Sequence, residues 1–344
     1  MTSNISEGGS DVRRNVIIGL RKVDWSDVER QNEFLNCVMS AMEHLGKKRS
    51  YDELACISGC AFRGCSPLHE ITPAAYYVTN DIAIIGHTFR MLGCGMTLHP
   101  RSDYETDKKL IMDSIDRGVP VLTFGGVINC SECCIISGYD DYGAVLLGYS
   151  PFAYSPPDHD EPADSTGYFR KSNWHDGFFE EANGRILIIG DPTTSLSKEE
   201  IIKESLKMAV KLIRGTASQN ADYVTGDAGH TRYAELVVKD TDNWFVLELM
   251  IACMNCNVYQ DKVYVAPFLR QAKEVLKDKA DVLEECAKIY DQIAALRREM
   301  STYIADDLSM GERIKDKDVR EQYAQRVYQI RDLEKNAAGL FEKI

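Results

Sequence analysis

The sequence predicts a mixed α+β domain followed by an all-helical domain. Three observations predict this order: amphipathic helix patterns between residues 32 and 117, short apolar runs between residues 120 and 189, and helical periodicity from Ser197 almost to the end. The length of 344 residues allows more than one domain. We therefore expect a loose leader at residues 1–13, an α+β domain at residues 14–195 and a helical domain at residues 196–344.

The first helices are predicted from spacing and from their ends. Apolar residues recur at helical spacing in Asn32–Leu45 and in Asp107–Arg117, and each segment is followed by a glycine. Ser50 and Glu53 fit a capping box, in which a serine and a glutamate three residues later each bond the other's backbone. This pair predicts a short helix at Tyr51–Ile57.

The middle of the chain predicts an antiparallel sheet. Short apolar runs bounded by glycine, aspartate and asparagine predict strands at Pro120–Phe124, Cys134–Ser137, Ala144–Tyr149 and Arg185–Ile189. The segment Tyr139–Gly143 is rich in turn residues and predicts a hairpin between two of these strands. The segment Ser155–Asp164, rich in proline and aspartate, predicts a surface loop.

The last part of the chain predicts helices. Ser197 and Glu200 form a second capping box ahead of Ile201–Arg214. Lys279–Ile304 and Asp318–Ile344 each carry one apolar stripe on an otherwise charged helix. Because the link between them is short, we expect an antiparallel pair, whose stripes form either an intramolecular bundle or a homodimer surface.

The acidic balance limits the classes of partner. The chain has 40 Lys and Arg residues against 53 Asp and Glu residues, a formal net charge of −13. A nucleic-acid binder needs a basic face to displace counterions, and an anionic membrane repels an acidic protein, so we expect neither partner. The N-terminal segment lacks a secretion-signal pattern, and no run reaches the roughly 18 apolar residues of a membrane span. These features predict a cytoplasmic protein.

Eleven cysteines are many for a cytoplasmic chain, where thiols stay reduced. Two C-x-x-C pairs, Cys130 with Cys133 and Cys253 with Cys256, have the ligand spacing of half a zinc site. The pairs fall in different predicted domains, however, and the second lies in a helical pattern without the turn that zinc ribbons use. Buried thiols are therefore favoured, and we predict no metal and no cofactor.

One cysteine stands in a more specific context. Gln31 precedes Cys37 by six positions, and Cys37 is predicted at the start of a helix. A cysteine at a helix N-terminus has its thiolate stabilised by the helix dipole and by unpaired backbone N–H groups. The Gln31 amide and the Cys37 backbone N–H could together donate to an oxyanion. The alternative is that Cys37 is a core residue on an amphipathic helix, as free cysteines commonly are.

Several short motifs accompany Cys37 in a fixed order: Leu45-Gly46, Ser50–Leu54, Ser58–Arg63, Arg117–Val121, Cys134–Asp141, Tyr168–Lys171, Trp174 and Ala266–Arg270. After Cys37, the motifs Leu45-Gly46, Ser50–Leu54, Arg117–Val121 and Cys134–Asp141 resemble, in this order, the bacteriocin-processing group of papain-like peptidases. A closer resemblance is to a bacterial group related to the N-terminal domain of the butirosin-biosynthesis acyltransferase, and it rests on Ser58–Arg63, Gly138–Asp141, Tyr168–Lys171 with Trp174, and Ala266–Arg270. The resemblance spans nearly the whole chain. It implies a papain-like fold, thioester or acyl chemistry on Cys37, and substrate-binding positions at Ser58, Phe62 and Tyr139.

The sequence departs from these peptidases where they carry the catalytic histidine. That histidine lies six residues before the glycine of the hairpin, and counting back from Gly138 gives Glu132, with Cys133 beside it. The imidazole normally activates the thiol and protonates the leaving group, so its replacement disfavours ordinary proteolysis. Glu132 could serve as the general base only if burial made its carboxylate more basic.

Other histidines are weaker candidates for the missing imidazole. His69, His87 and His175 are each isolated in the sequence, and a structural role is the more common one for such a residue. His159 falls in the acidic loop and is expected to be solvated. Of these four, His69 and His87 are the first to test as substitutes for the imidazole.

Two functions therefore fit the sequence. The first is a papain-like acyltransferase or amidase with Cys37 as nucleophile, Gln31 as oxyanion donor and Glu132 at the general-base position. The second is a non-catalytic protein of the same fold that binds a peptide or small molecule. The missing histidine motivates the second. The substrate in either case is a small molecule or a peptide.

Overall fold

The chain forms two compact units. The computed structural model describes residues 13–23, 27, 29–71, 81–124, 127, 133–150, 168–175, 184–217, 223–303 and 311–344. The first unit comprises Met1–Tyr51 and Leu92–Thr194, and the second comprises Asp52–Met91 and Ser195–Ile344. The last residue of the first unit lies next to the predicted boundary at residue 195.

The segment Asp52–Met91 belongs to the second unit, whereas the sequence placed it in the α+β domain. Its buried side chains explain the difference. The thiol of Cys56 donates to the carbonyl of Tyr264 at 3.6 Å. The ring of Phe62 packs edge-on against Tyr290 and Phe341. These contacts join residues far apart in the sequence, so no local pattern reveals them.

The first unit is built on an antiparallel sheet. Nine strands lie within the described ranges: β1 (Asn15–Val16), β2 (Cys65–Pro67), β3 (Cys94–Pro100), β4 (Val121–Phe124), β5 (Cys134–Asp140), β6 (Val145–Tyr149), β7 (Tyr168–Ser172), β8 (Arg185–Pro192) and β9 (Tyr223–Thr225). Seven of them form the sheet, in the order β3-β8-β4-β5-β6-β7, with β1 paired to the outer half of β5. All of its ladders are antiparallel, as the hairpin signal predicted.

The predicted hairpin joins β5 to β6. Asp141, Tyr142 and Gly143 have φ values of +45°, +52° and +85°, so the chain turns through three successive left-handed residues. Glycine is required at the third position because a Cβ there would lie 2.7 Å from the sulfur of Met112. The turn fixes the register in which Tyr139 pairs with Leu146.

The helices described in the chain are α1 (Glu33–His44), α2 (Tyr51–Ile57), α3 (Ile82–Met91), α4 (Tyr104–Asp116), α5 (Lys198–Ile213), α6 (Gly226–Val238), α7 (Trp244–Met254), α8 (Val265–Ala272), α9 (Ala280–Tyr303) and α10 (Lys317–Phe341). In the first unit, α1 contacts β5, and α4 contacts β4, β5 and β8. Both helices bury one face, since Leu35, Val38, Ile111 and Ile115 are essentially inaccessible.

The second unit is mainly helical. Helix α10 contacts α5, α6 and α9, and α9 also contacts α8. Helices α9 and α10 are antiparallel. Lys279, just before α9, bonds the carbonyl of Lys343 at the end of α10, and Glu299 near the end of α9 bonds Arg326 in the middle of α10. The strands β2 and β9 form a separate two-stranded sheet, with Ser66 opposite Val224.

The predicted class of mixed α+β structure with a helical C-terminal part is confirmed. The capping box of Ser197 and Glu200 is present at the start of α5. The predicted loop Ser155–Asp164 lies outside the described residues, as do residues 1–12 of the predicted leader. Among the helices of the described ranges, none is both long enough and apolar enough to cross a membrane.

Candidate functional site

Cys37 lies deeper in its helix than the sequence suggested. Helix α1 begins at Glu33, and its N-cap Asn32 accepts a hydrogen bond from the backbone N–H of Leu35. Cys37 is therefore the fifth helical residue. Only the N-cap and the first three helical residues lack an intrahelical acceptor, and the Asn36 N–H already bonds the Asn32 carbonyl at 3.0 Å. The predicted oxyanion role of the Cys37 backbone N–H is thus wrong, because that N–H belongs to the helical ladder.

The sulfur of Cys37 faces the N-terminal end of strand β5. Cys37 is 0% exposed, and its thiol donates to the backbone carbonyl of Cys133 at 3.6 Å. Cys133 is also buried. Burial raises the pKa of the Cys133 thiol well above its ordinary value, and its contact with Cys37 raises it further. The two thiols therefore lie side by side where α1 meets β5.

The neighbouring Cys134 is bonded elsewhere. Successive side chains of a strand point to opposite faces, and Cys134 pairs across the ladder with Thr123 of β4. The Thr123 hydroxyl lies 2.9 Å from the Cys134 sulfur, which also accepts from the Val127 N–H at 3.4 Å. Burial raises the pKa of Cys134 to about 12. The adjacent thiols are thus Cys37 and Cys133, and we refer to them as the thiol pair.

The other predicted catalytic residues are only partly placed. Gln31 is half-buried and lies directly before the N-cap Asn32, two residues before the first helical residue Glu33. Glu132 lies outside the described residues. The structure therefore brings Cys37 to the strand end at which the resemblance locates the second catalytic group.

The three predicted substrate-binding residues fall in different units. Ser58 and Phe62 belong to the second unit and Tyr139 to the first. All three are buried. The Ser58 hydroxyl caps the turn at Cys60 by accepting from its N–H, and the Tyr139 hydroxyl donates to Asp116 at 2.7 Å. Burial, and then the Asp116 carboxylate, raises the pKa of Tyr139 to about 12.

The candidate histidines have individual structural partners. His175 follows β7, and its Nε2 donates to the buried Asp107 at 3.1 Å. Its ring packs edge-on against Trp174 and Tyr104. His69 is exposed, and His87 is buried in α3. His159 lies outside the described residues. The His175–Asp107 pair joins two separate segments of the first unit, and the sequence offered no signal for it.

The hypothetical zinc site receives no support from the described cysteines. Cys253 and Cys256 are half-buried at the end of α7 and in the turn that follows it, and Cys130 lies outside the described residues. Within the residues that are described, no three histidine, cysteine, aspartate or glutamate side chains are arranged to hold a metal ion.

The second unit contains a buried ionic cluster that the sequence did not predict. Glu334 of α10 accepts from Lys262 Nζ at 2.6 Å and from His230 Nε2 of α6 at 2.8 Å. A carboxylate only accepts, so His230 carries its proton on Nε2, and its Nδ1 accepts from the Tyr259 hydroxyl at 2.9 Å. Lys262 also donates to the carbonyl of Arg63 at 2.7 Å.

Electrostatics in the ionic cluster follow from its burial. Glu334, Lys262 and His230 are at most 2% exposed. Burial raises the pKa of Glu334, but Lys262 and His230 outweigh it and hold that pKa below its ordinary value. Burial lowers the pKa of Lys262 and of His230 despite the neighbouring carboxylate. The cluster thus contains a carboxylate paired with an ammonium group and a neutral imidazole. We interpret this arrangement as stabilising the fold of the second unit.

A π-helical turn at Asn255–Tyr259 positions this cluster. It follows α7 directly and carries Tyr259 towards His230. The Arg63 guanidinium donates to the carbonyl of Asn257 at 2.9 Å, within the same turn. Such turns insert one residue into a helix, and here the insertion changes the direction of the residues that follow.

We compared the sequence with protein-family models and with curated proteins. No protein-family model matches the sequence, and no curated protein matches it significantly.

Proposed function

We propose that the first unit is a papain-like thiol enzyme, or a derivative of one, in which Cys37 acts on an acyl or amide group. The observation that supports this is the approach of the Cys37 thiol to Cys133, 96 residues further along the chain, at 3.6 Å. Cys133 precedes β5, at the end where the resembling peptidases carry their imidazole. A thiol on a helix facing that strand end is the arrangement in which the family performs acyl chemistry.

In the proposed reaction the Cys37 sulfur attacks a carbonyl carbon and displaces the leaving group, which forms a thioester. Attack by an acceptor amine or by water on the thioester then frees Cys37 again. Because the Cys37 N–H is used within α1, the Gln31 side-chain amide is the proposed donor to the oxyanion. The raised pKa of Cys133 keeps it protonated at neutral pH, so it cannot accept the proton. Glu132 remains the proposed general base.

The test is acylation of the native protein by a simple acyl thioester, such as acetyl-N-acetylcysteamine. We expect the acetyl group on the peptide that contains Cys37, detected by mass spectrometry without reductant. The Cys37→Ser variant should lose that modification, and Gln31→Ala should slow it by roughly 10²–10³-fold, the usual effect of removing an oxyanion donor. Acetylation distributed evenly over the cysteines would rule out the enzymatic proposal.

A second candidate is a non-catalytic protein of the same fold that binds a peptide or small molecule. The burial of Cys37, which is 0% exposed, favours it, since a substrate carbonyl must reach the sulfur. In that case Cys37 should remain unmodified by the thioester and should react with iodoacetamide no faster than the other buried cysteines. Binding of a candidate peptide with no turnover would then support this function.

The setting of the protein is also proposed. We propose a cytoplasmic location, consistent with cysteines that are free among the described residues. We also propose that the partner is a small molecule or peptide, rather than nucleic acid or membrane. Light scattering after gel filtration tests the proposed homodimer through the C-terminal helices, since a monomeric mass at micromolar concentration would exclude it.

A further inference from the structure

The thiol pair brings together two cysteines from different elements of the first unit. Cys37 comes from α1 and Cys133 from the residue before β5. The Cys37 thiol donates to the Cys133 carbonyl at 3.6 Å, and burial, then the contact with Cys37, raises the pKa of the Cys133 thiol. In this respect the site differs from a thiol–imidazole dyad, because two thiols can be joined covalently.

We propose that Cys37 and Cys133 form a reversible intramolecular disulfide when the protein is exposed to a peroxide. This modification site needs only the adjacency of the two sulfurs and does not rest on acyl chemistry at Cys37. If the proposed function holds as well, the disulfide removes the nucleophile and arrests acyl transfer until a thiol reductant restores it.

The two steps balance with hydrogen peroxide as the oxidant. The Cys37 sulfur attacks one peroxide oxygen and the O–O bond breaks, which leaves a sulfenic acid on Cys37 and releases one water. The Cys133 sulfur then attacks the Cys37 sulfur, forms the S–S bond and displaces the hydroxyl group as a second water. The two thiols together give up two electrons and two protons, and both oxygens of the peroxide end as water.

The fold favours Cys133 as the second partner over its neighbour. The sulfur of Cys134 is held by the Thr123 hydroxyl at 2.9 Å and by the Val127 N–H at 3.4 Å. A partner already beside the reacting sulfur makes the second step intramolecular, which strongly favours it over attack by a thiol elsewhere.

The test is a disulfide map of the full chain after treatment with hydrogen peroxide. Native protein is oxidised, quenched with catalase and denatured in the presence of N-ethylmaleimide, which blocks every remaining thiol. Digestion with trypsin and a glutamate-specific protease then separates Cys130 from Cys133, because Glu132 lies between them. Fragmentation of the cross-linked peptides between Cys133 and Cys134 identifies the linked cysteine.

The expected result is one dominant cross-link between the Cys37 and Cys133 peptides, lighter than the reduced pair by two hydrogen atoms and abolished by dithiothreitol. Cys134→Ser should keep this cross-link and Cys133→Ser should lose it. The same treatment of protein unfolded in guanidinium should favour cysteines that lie close in the sequence over the pair of Cys37 and Cys133, which shows that the fold selects the bond.

Three outcomes overturn the proposal: a cross-link from Cys37 to Cys134 or Cys130, a sulfinic acid on Cys37 with Cys133 still free, or no cross-link at all. The wild-type map decides among these even if the Cys133→Ser variant fails to fold. Because the readout is a covalent mass, a failure of the acyl proposal leaves this result unchanged. Acetylation of Cys37 without any cross-link would support the acyl proposal and overturn the disulfide proposal.

Discussion

The two units bury polar side chains in opposite ways. The thiol pair of the first unit is held by one weak hydrogen bond, from the Cys37 thiol to the Cys133 carbonyl at 3.6 Å. The ionic cluster of the second unit ties Glu334 to Lys262 and His230 by bonds of 2.6 and 2.8 Å. A buried charge needs a complete set of partners, and a buried thiol does not. The cluster is therefore held by a full set of charged partners, whereas the thiol pair has no such requirement.

The largest expected effect comes from breaking the ionic cluster at its centre. Glu334→Gln has almost the same shape but leaves the Lys262 ammonium without its counter-charge inside the protein. We expect the second unit to lose about 3–5 kcal/mol of stability, the usual cost of removing one partner from a buried ion pair. Urea unfolding followed by hydrogen-exchange mass spectrometry, which reports on each unit separately, measures the change.

The double variant Lys262→Met/Glu334→Leu is the control for that loss. Removing both charges avoids the unpaired ion, so we expect the double variant to be more stable than the sum of the two single changes predicts, by about 0.5–3 kcal/mol. If the stability losses of the two single variants simply add in the double variant, Lys262 and Glu334 do not stabilise each other. The difference drawn between the ionic cluster and the thiol pair would then be wrong.

The next largest effect is a dependence on pH. His87 of α3 is 7% exposed, and burial together with the adjacent Arg90 lowers its pKa from 6.5 to about 4. Its Nδ1 lies 3.2 Å from an Arg90 nitrogen, and this contact requires an unprotonated Nδ1. The unfolded chain therefore binds a proton at a higher pH than the folded chain. The contribution of His87 to the free energy of unfolding is fully present above pH 6.5. It should fall by about 3 kcal/mol as the pH approaches 4.

The variant His87→Gln should remove that part of the pH dependence. Stability of the second unit, measured by hydrogen exchange between pH 7 and pH 4, should then decline less steeply than in the wild type. His69→Gln is the matched control, because His69 is exposed and its replacement should leave the slope unchanged. Equal slopes for wild type and His87→Gln would show that acid acts on other groups.

Local signals account for what the sequence predicted well. The capping box of Ser197 and Glu200 marks the start of α5 because both bonds lie within four residues of one another. The strand β2 was missed because it is only three residues long and its partner β9 lies about 160 residues away. Pairings of that kind depend on the assembled fold, and no local pattern contains them.

The candidate site shows the same division. The spacing of Gln31 and Cys37 correctly pointed to a helix that carries Cys37. The sequence did not predict that Asn32 caps this helix, so that it begins at Glu33 and the Cys37 N–H bonds within the helix. The approach of Cys133 to Cys37 depends on tertiary contact between α1 and β5. Glu334 looks like any charged residue of an amphipathic helix, and only the folded unit shows that it is buried.

A smaller effect is expected when the thiol pair is truncated. Cys37→Ala and Cys133→Ala each remove one sulfur and one weak donor from a buried position. The loss should be about 1 kcal/mol for each, comparable to deleting a single buried methylene group. The same urea and hydrogen-exchange experiment measures it on peptides of the first unit. A loss above 3 kcal/mol would mean that the thiols are structural, as the ionic cluster is.

The smallest expected effect comes from an exposed ion pair, which shows whether burial or short distance gives the buried ion pair its strength. The exposed pair of Lys203 and Glu199 on α5 has a separation of 2.7 Å, nearly the same as the 2.6 Å between Lys262 and Glu334. We expect Glu199→Gln to cost at most about 0.5 kcal/mol and to cost nothing measurable at high salt, because water and ions already screen this pair. Glu334→Gln should keep its effect at the same salt concentration. If the two variants lose similar amounts of stability, the short distance between the charges explains the strength of the ionic cluster. If the losses differ by about tenfold, the exclusion of water explains it.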